Sequence, residues 1–261
     1  MTLSDVRGVI CDMDGVLWRG DEPLPGLVAF FDLLRRRHIP YILATNNSSK
    51  SPSDYVAKLA RMGVEGVPES AMMSSGIATA AYLRERYPEG TCVHVLGGDG
   101  LRRALAGVGF VLADDAAQIV VVGLDWELNY AKLQRATYLI RAGALFVGTN
   151  RDATFPTPEG LSPGAGSIIA ALATSTGQEP LIVGKPYLPM FEAAIRMLGL
   201  PAAQILMIGD RLDTDILGAR HVGVKTALVL TGVSTLADLE HSETQPDAVY
   251  PDLLALIEAL A

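Results

Sequence analysis

Short apolar runs alternate with amphipathic stretches from one end of the chain to the other. Runs at 8–12, 41–45, 181–183, 205–209, 226–229 and 248–250 are apolar on both faces, as strands buried in a parallel sheet must be. Helical patterns fill most of the intervals: one opens after Ser51-Pro52, where Ser51 can cap and Pro52 suits a first turn, and another follows Asp213-Thr214. Strand, helix, strand in succession predicts an α/β fold, a Rossmann-like doubly wound core.

A second set of runs, at 92–96, 118–123 and 144–148, carries its own helical patterns at 101–107 and 129–142. It is flanked by 82–90 and by 176–180, the latter a Gly- and Pro-containing stretch suited to a domain junction. The expected organisation is therefore a discontinuous core of residues 1–81 and 182–261, with a smaller α/β domain inserted at 82–181. No internal repeat interrupts this pattern.

Composition narrows the picture. With 49% hydrophobic residues the 261-residue chain can bury a sizeable core. The mean hydropathy of +0.29 is high, but the apolar runs are too short to span a bilayer, so no membrane partner is expected. Charges within the first seven residues disfavour a signal peptide, and two cysteines suggest no disulfide framework. A cytoplasmic setting is the expectation. A net charge of −8 argues against nucleic acid as partner, since that binding relies on a basic face.

Four of the apolar runs end in distinctive polar groups: Asp12 and Asp14, Thr45 and Asn46, Lys185, and Asp210. In a parallel sheet the carboxyl ends of strands share one edge, so these residues are expected to converge. Clustered carboxylates repel unless a cation lies between them, and oxygen-only ligands point to Mg²⁺. The four histidines have no metal-ligand spacing, which argues against zinc. Asp213 is explained by an acidic helix start, Trp18 by packing of a hairpin, and Cys11 by filling the first strand.

The segments Asp12-Met13-Asp14-Gly15-Val16, Thr45-Asn46-Asn47, Gly184-Lys185-Pro186 and Gly209-Asp210 through Asp215-Ile216 resemble, in order, the four motifs of the haloacid dehalogenase (HAD) superfamily. The arrangement is most similar to the NagD-type, p-nitrophenyl phosphatase-like branch, subfamily IIA. The resemblance implies that Asp12 is nucleophile and metal ligand. It makes Asp14 general acid and base, with its carbonyl on Mg²⁺, and Asp210 the other direct ligand. Asp215 would orient groups around the ion. Thr45, Asn46 and Lys185 would hold the phosphoryl group. The insertion matches a type-2 cap, with Asp125, Trp126, Arg151 and Asp152 as candidates for substrate contacts. The resemblance also leaves open a homodimer through the cap.

The chemistry is coherent on its own terms. Phosphoryl transfer needs charge neutralisation and in-line positioning, and a carboxylate nucleophile splits hydrolysis into two easier steps through an aspartyl phosphate. An acid two places after the nucleophile can protonate a leaving oxygen and later activate water. The reading is a Mg²⁺-dependent phosphatase of small phosphorylated metabolites. The alternatives are a phosphotransferase or mutase using the same phosphoenzyme, a catalytically silent binding protein, and a nucleotide-binding module. The last rests on Gly97-Gly98-Asp99-Gly100 and Gly164-Ala165-Gly166-Ser167, but Arg103 replaces the third glycine of a dinucleotide fingerprint, and Glu179 replaces the first glycine of a P-loop.

Overall fold

The computed structural model describes residues 5–157 and 160–260. The chain divides into two compact units, one comprising residues up to Thr45, Ser53–Met73 and Lys185 onward, the other 46–52 and Ser74–Gly184.

The first unit is built on a six-stranded sheet ordered Ala248–Tyr250, Lys225–Val229, Ile205–Gly209, Gly8–Cys11, Tyr41–Thr45 and Met72–Ser74. Gly8–Cys11 runs parallel to both neighbours, with Cys11 opposite Ile208 on one side and Leu43 on the other. Every residue of Gly8–Cys11 and of Ile205–Gly209 is buried, which is why these central strands read as continuous apolar runs. Helix Leu27–Arg36 turns Leu27, Phe30, Phe31 and Leu34 inward at helical spacing. Each large apolar side chain so buried contributes about 1.5–3 kcal/mol. The register brings Asp12, Thr45 and Asp210 to the carboxyl ends of three adjacent strands, and the Asp12 amide extends the ladder by donating to the Ile208 carbonyl at 2.8 Å.

The second unit has its own five-stranded sheet, ordered Leu181–Ile182, Leu145–Gly148, Ile119–Val122, Cys92–Leu96 and Val111–Leu112, with all neighbouring pairs parallel. Helices Asp99–Gly107, Tyr130–Arg141 and Ala165–Thr176 connect its strands, and Thr154–Thr157 pairs with Gly160–Pro163 as an antiparallel ribbon.

The structure departs from the sequence expectation in three places. The run at 181–183, expected in the core sheet, forms the short strand Leu181–Ile182 and pairs with the second sheet. Gly148 makes this possible, because a Cβ there would approach Ile182 Cδ1 to 2.6 Å and would also meet Ile169. The sixth core strand is instead Met72–Ser74, a three-residue strand too short to show a pattern in the sequence. The expected boundary at 82 lies inside helix Ser75–Arg84, where the second unit has already begun. That helix buries small residues, including Gly76, whose added Cβ would lie 3.3 Å from Ser48 and 3.4 Å from Leu101 of the same unit. Among the described residues no helix is long and apolar enough to cross a membrane.

Candidate active site

The site of the first unit starts from a lysine between two carboxylates. Lys185 Nζ donates to Asp12 Oδ1 at 2.6 Å, lies 2.7 Å from Asp215 Oδ1, and donates to the Ala44 carbonyl at 3.2 Å. All three charged side chains are buried. Burial alone would lower the lysine's pKa, but Asp12 and then Asp215 outweigh it and hold the ammonium above its ordinary value. Burial pushes Asp12 well above the usual carboxylate range, opposed by Lys185 and reinforced by Asp215 and Asp210.

Asp210 completes the cluster. Its Oδ2 accepts from the Val233 amide at 2.7 Å, whereas its Oδ1 is buried without a hydrogen-bond partner among the described residues. Burial, with Asp215 adding, raises Asp210 to about 7. One oxygen from each of Asp12, Asp210 and Asp215 lies within 4.8 Å of the others. Three carboxylates against one ammonium leave an uncompensated negative charge, and the donors are all oxygen. An unsatisfied buried carboxylate oxygen is costly. These features together fit a hard divalent cation.

Glycines shape this space. Gly15, at φ +89°, would bring a Cβ to 2.6 Å from Asp210 Oδ2, and a Cβ at Gly232 would overlap the same carboxylate. A Cβ at Gly209 would overlap Asp215. Asp215 is presented by a widened helical turn, Leu212–Ile216, and its Oδ2 accepts from the Arg211 amide at 3.1 Å. Asp213 lies in the first turn of the same element, as an acidic helix start should; it is exposed and pairs with Arg211 at 2.9 Å.

Asp14 is exposed, and its Oδ1 accepts from Trp18 Nε1 at 2.8 Å. Trp18 belongs to a two-stranded hairpin, Trp18–Arg19 with Glu22–Pro23, as the sequence suggested, but its indole reaches back to the motif. Thr45 is buried and hydrogen-bonded to the Tyr55 hydroxyl. Neither aromatic was a candidate from sequence, because nothing in residue spacing reveals where an indole N–H or a phenol points.

The remaining candidates lie in the second unit. Asn46 belongs there, not with Thr45: its carbonyl accepts from Ser75 Oγ and from Asn150 Nδ2, and its Nδ2 donates to Asp152 Oδ1 at 3.0 Å. Asp125 is buried and accepts from Lys132 Nζ at 2.9 Å and from the Glu127 amide. Arg151 pairs with Glu179 at 2.7 Å. Trp126 is 58% exposed and meets Phe155 edge to face at 5.7 Å. Gly98 caps helix Asp99–Gly107, and a Cβ at Gly100 would crowd the Ser48 and Lys50 carbonyls, so close packing accounts for this glycine-rich stretch.

Comparison with known proteins agrees with this geometry. Residues 9–111 match the haloacid dehalogenase-like hydrolase family, and residues 182–256 match the HAD-hydrolase-like family. A Staphylococcus aureus protein named acid sugar phosphatase is 38% identical over 259 residues, covering 99% of each chain. The solved structure of 4-nitrophenylphosphatase from Thermotoga maritima superposes with a TM-score of 0.95 at 37% identity, covering 99% of both chains. That of glycerol phosphate phosphatase from Mycobacterium tuberculosis in complex with magnesium gives 0.90 at 33% identity, covering 98% of this chain and 78% of that one. With these motifs, this fold and relatives of this identity along its whole length, the chain belongs to the haloacid dehalogenase-like hydrolases, in their NagD-type, p-nitrophenyl phosphatase-like branch of phosphatases.

Proposed function

We propose that the chain is a Mg²⁺-dependent phosphatase that hydrolyses phosphate monoesters of small metabolites through an aspartyl phosphate on Asp12. The observation that carries the reading is the buried triad of carboxylates around Lys185, with Asp210 Oδ1 unpartnered. Asp12, Asp210 and the Asp14 backbone carbonyl would hold the ion, with Asp215 supporting them. Once bound, it would offset the carboxylates' charge and stabilise charge developing on the phosphoryl oxygens.

The chain's own groups divide the work. Asp12 attacks phosphorus while the bond to the leaving oxygen breaks and Asp14 protonates that oxygen. Water then attacks phosphorus, its proton passes to Asp14, and the bond between Asp12 and phosphorus breaks. Lys185 favours the ionised form of Asp12 against the effect of its burial, and Thr45 and Asn46 offer polar groups to the phosphoryl oxygens. The second unit serves as the cap that selects substrate. Trp126 is its leading candidate, because it is exposed whereas Asp125, Arg151 and Asp152 have charged or polar partners within that unit. The names of the relatives make sugar and polyol phosphates the first substrates to try.

The test is phosphate release from p-nitrophenyl phosphate and a panel of such esters. Turnover is expected to require Mg²⁺ and to be abolished by chelation; Asp12→Asn is expected to eliminate it while thermal melting stays cooperative. Undiminished turnover in excess chelator removes the metal assignment, and turnover by Asp12→Asn removes the covalent route.

A further inference from the structure

Trp18 is fully buried, yet its one polar atom is spent on an exposed carboxylate, the Nε1 to Asp14 Oδ1 bond of 2.8 Å. The indole is held by an aromatic and a cation. Tyr55 stacks against it with centroids 6.4 Å apart and planes within 15°. Lys58, itself buried, places Nζ 4.4 Å from the ring centroid and donates to the Gly20 carbonyl at 2.6 Å. The backbone leading from Met13 to Trp18 closes a tight turn: the Leu17 amide donates to the Met13 carbonyl at 2.8 Å and the Gly15 amide to the Trp18 carbonyl at 2.7 Å.

An indole N–H can only donate. The oxygen that accepts it is therefore the poorer place for a carboxyl proton, and the other oxygen becomes the one that gives and receives it. We propose that Trp18 is a positioning residue for Asp14: its fixed N–H engages Oδ1, orients the carboxylate, and assigns proton transfer to Oδ2. This rests on the phosphatase reading above. In the first step the proton leaves Asp14 Oδ2 for the departing oxygen as the P–O bond breaks. In the second, Oδ2 takes a proton from the attacking water as the bond from phosphorus to Asp12 breaks. Charge and protons balance over the two steps, and Trp18 itself stays unchanged.

The experiment compares a nitrophenyl and an alkyl ester, p-nitrophenyl phosphate and glycerol 3-phosphate, in the unaltered protein and in Trp18→Phe. Nitrophenolate leaves without a proton, whereas an alkoxide needs one, so a misaimed Asp14 penalises the alkyl ester in the first step and both esters in the second. Trp18→Phe is expected to lower kcat for glycerol 3-phosphate by about tenfold or more with KM nearly unchanged. With p-nitrophenyl phosphate it is expected to show a nitrophenolate burst of near-normal rate followed by slow turnover. Should the smaller ring loosen the packing, 3-benzothienylalanine at position 18 keeps the shape, lacks only the N–H, and is expected to give the same split. Equal losses in burst and steady state, or no loss with either replacement, overturn the role of Trp18 while leaving the phosphatase reading in place. Failure of the unaltered protein to act on either ester overturns both.

Discussion

Gly232 lies so close to the carboxylate of Asp210 that any side chain there would occupy the space of Oδ2. Asp210 is also fixed through that oxygen by the Val233 amide, so it cannot swing aside without losing a 2.7 Å hydrogen bond. Gly232→Ala is therefore expected to displace the carboxylate. The Mg²⁺ concentration giving half-maximal activity should rise by about 10–100-fold, with the fold retained. A Mg²⁺ titration of phosphate release checks it, and an unchanged midpoint would show that Asp210 does not hold the ion.

Lys185 gives the clearest prediction for stability. Its ammonium lies between two buried carboxylates, and truncating one member of such a group leaves the others uncompensated. Lys185→Met should cost about 3–5 kcal/mol in the metal-free protein, besides abolishing turnover. Denaturant unfolding in chelator measures the loss. Adding Mg²⁺ should recover part of it, because the ion then supplies positive charge among the same oxygens.

The second unit carries a pH prediction of its own. His94 is buried, and burial lowers its pKa, opposed by its contacts with the Ala113 carbonyl and Asp114 and aided by Arg102 and Arg135. The unfolded imidazole, at about 6.5, takes up a proton before the folded one does. Its stabilising contribution is thus complete above about pH 6.5 and is lost as the pH falls below that value. The melting temperature should drop further between pH 7.5 and pH 5.5 in the unaltered protein than in His94→Gln. Parallel curves would refute it.

Much of this was legible because the same physics writes both the strand and the site. Strands such as Gly8–Cys11 and Ile205–Gly209 are buried on both faces, so their apolar runs stand out, and the polar residue ending each run marks the sheet edge. The sheet that Leu181–Ile182 joins is not legible, because a two-residue strand has no periodicity and its partner is decided by the room that Gly148 leaves. Asn46 follows Thr45 directly, yet it is held by Ser75, Asn150 and Asp152, contacts from distant parts of the sequence that no local pattern announces. The bond from Trp18 to Asp14 escaped for a related reason: it depends on a turn that aims the ring backward, while the sequence shows only an aromatic in a hairpin.

The glycines around the carboxylates bear on how this site can evolve. Gly15, Gly209 and Gly232 contribute no functional group, yet each leaves the neighbouring aspartate only the space that aspartate fills. A glutamate at 210 or 215 would carry the same charge on a longer arm, and with glycine backbone this close it is expected to place its oxygens differently. The length of the acid is then expected to matter as much as its charge. Drift must then spare a silent residue as strictly as the reactive one it faces, and a scan of all single substitutions should find the two kinds of position almost equally intolerant.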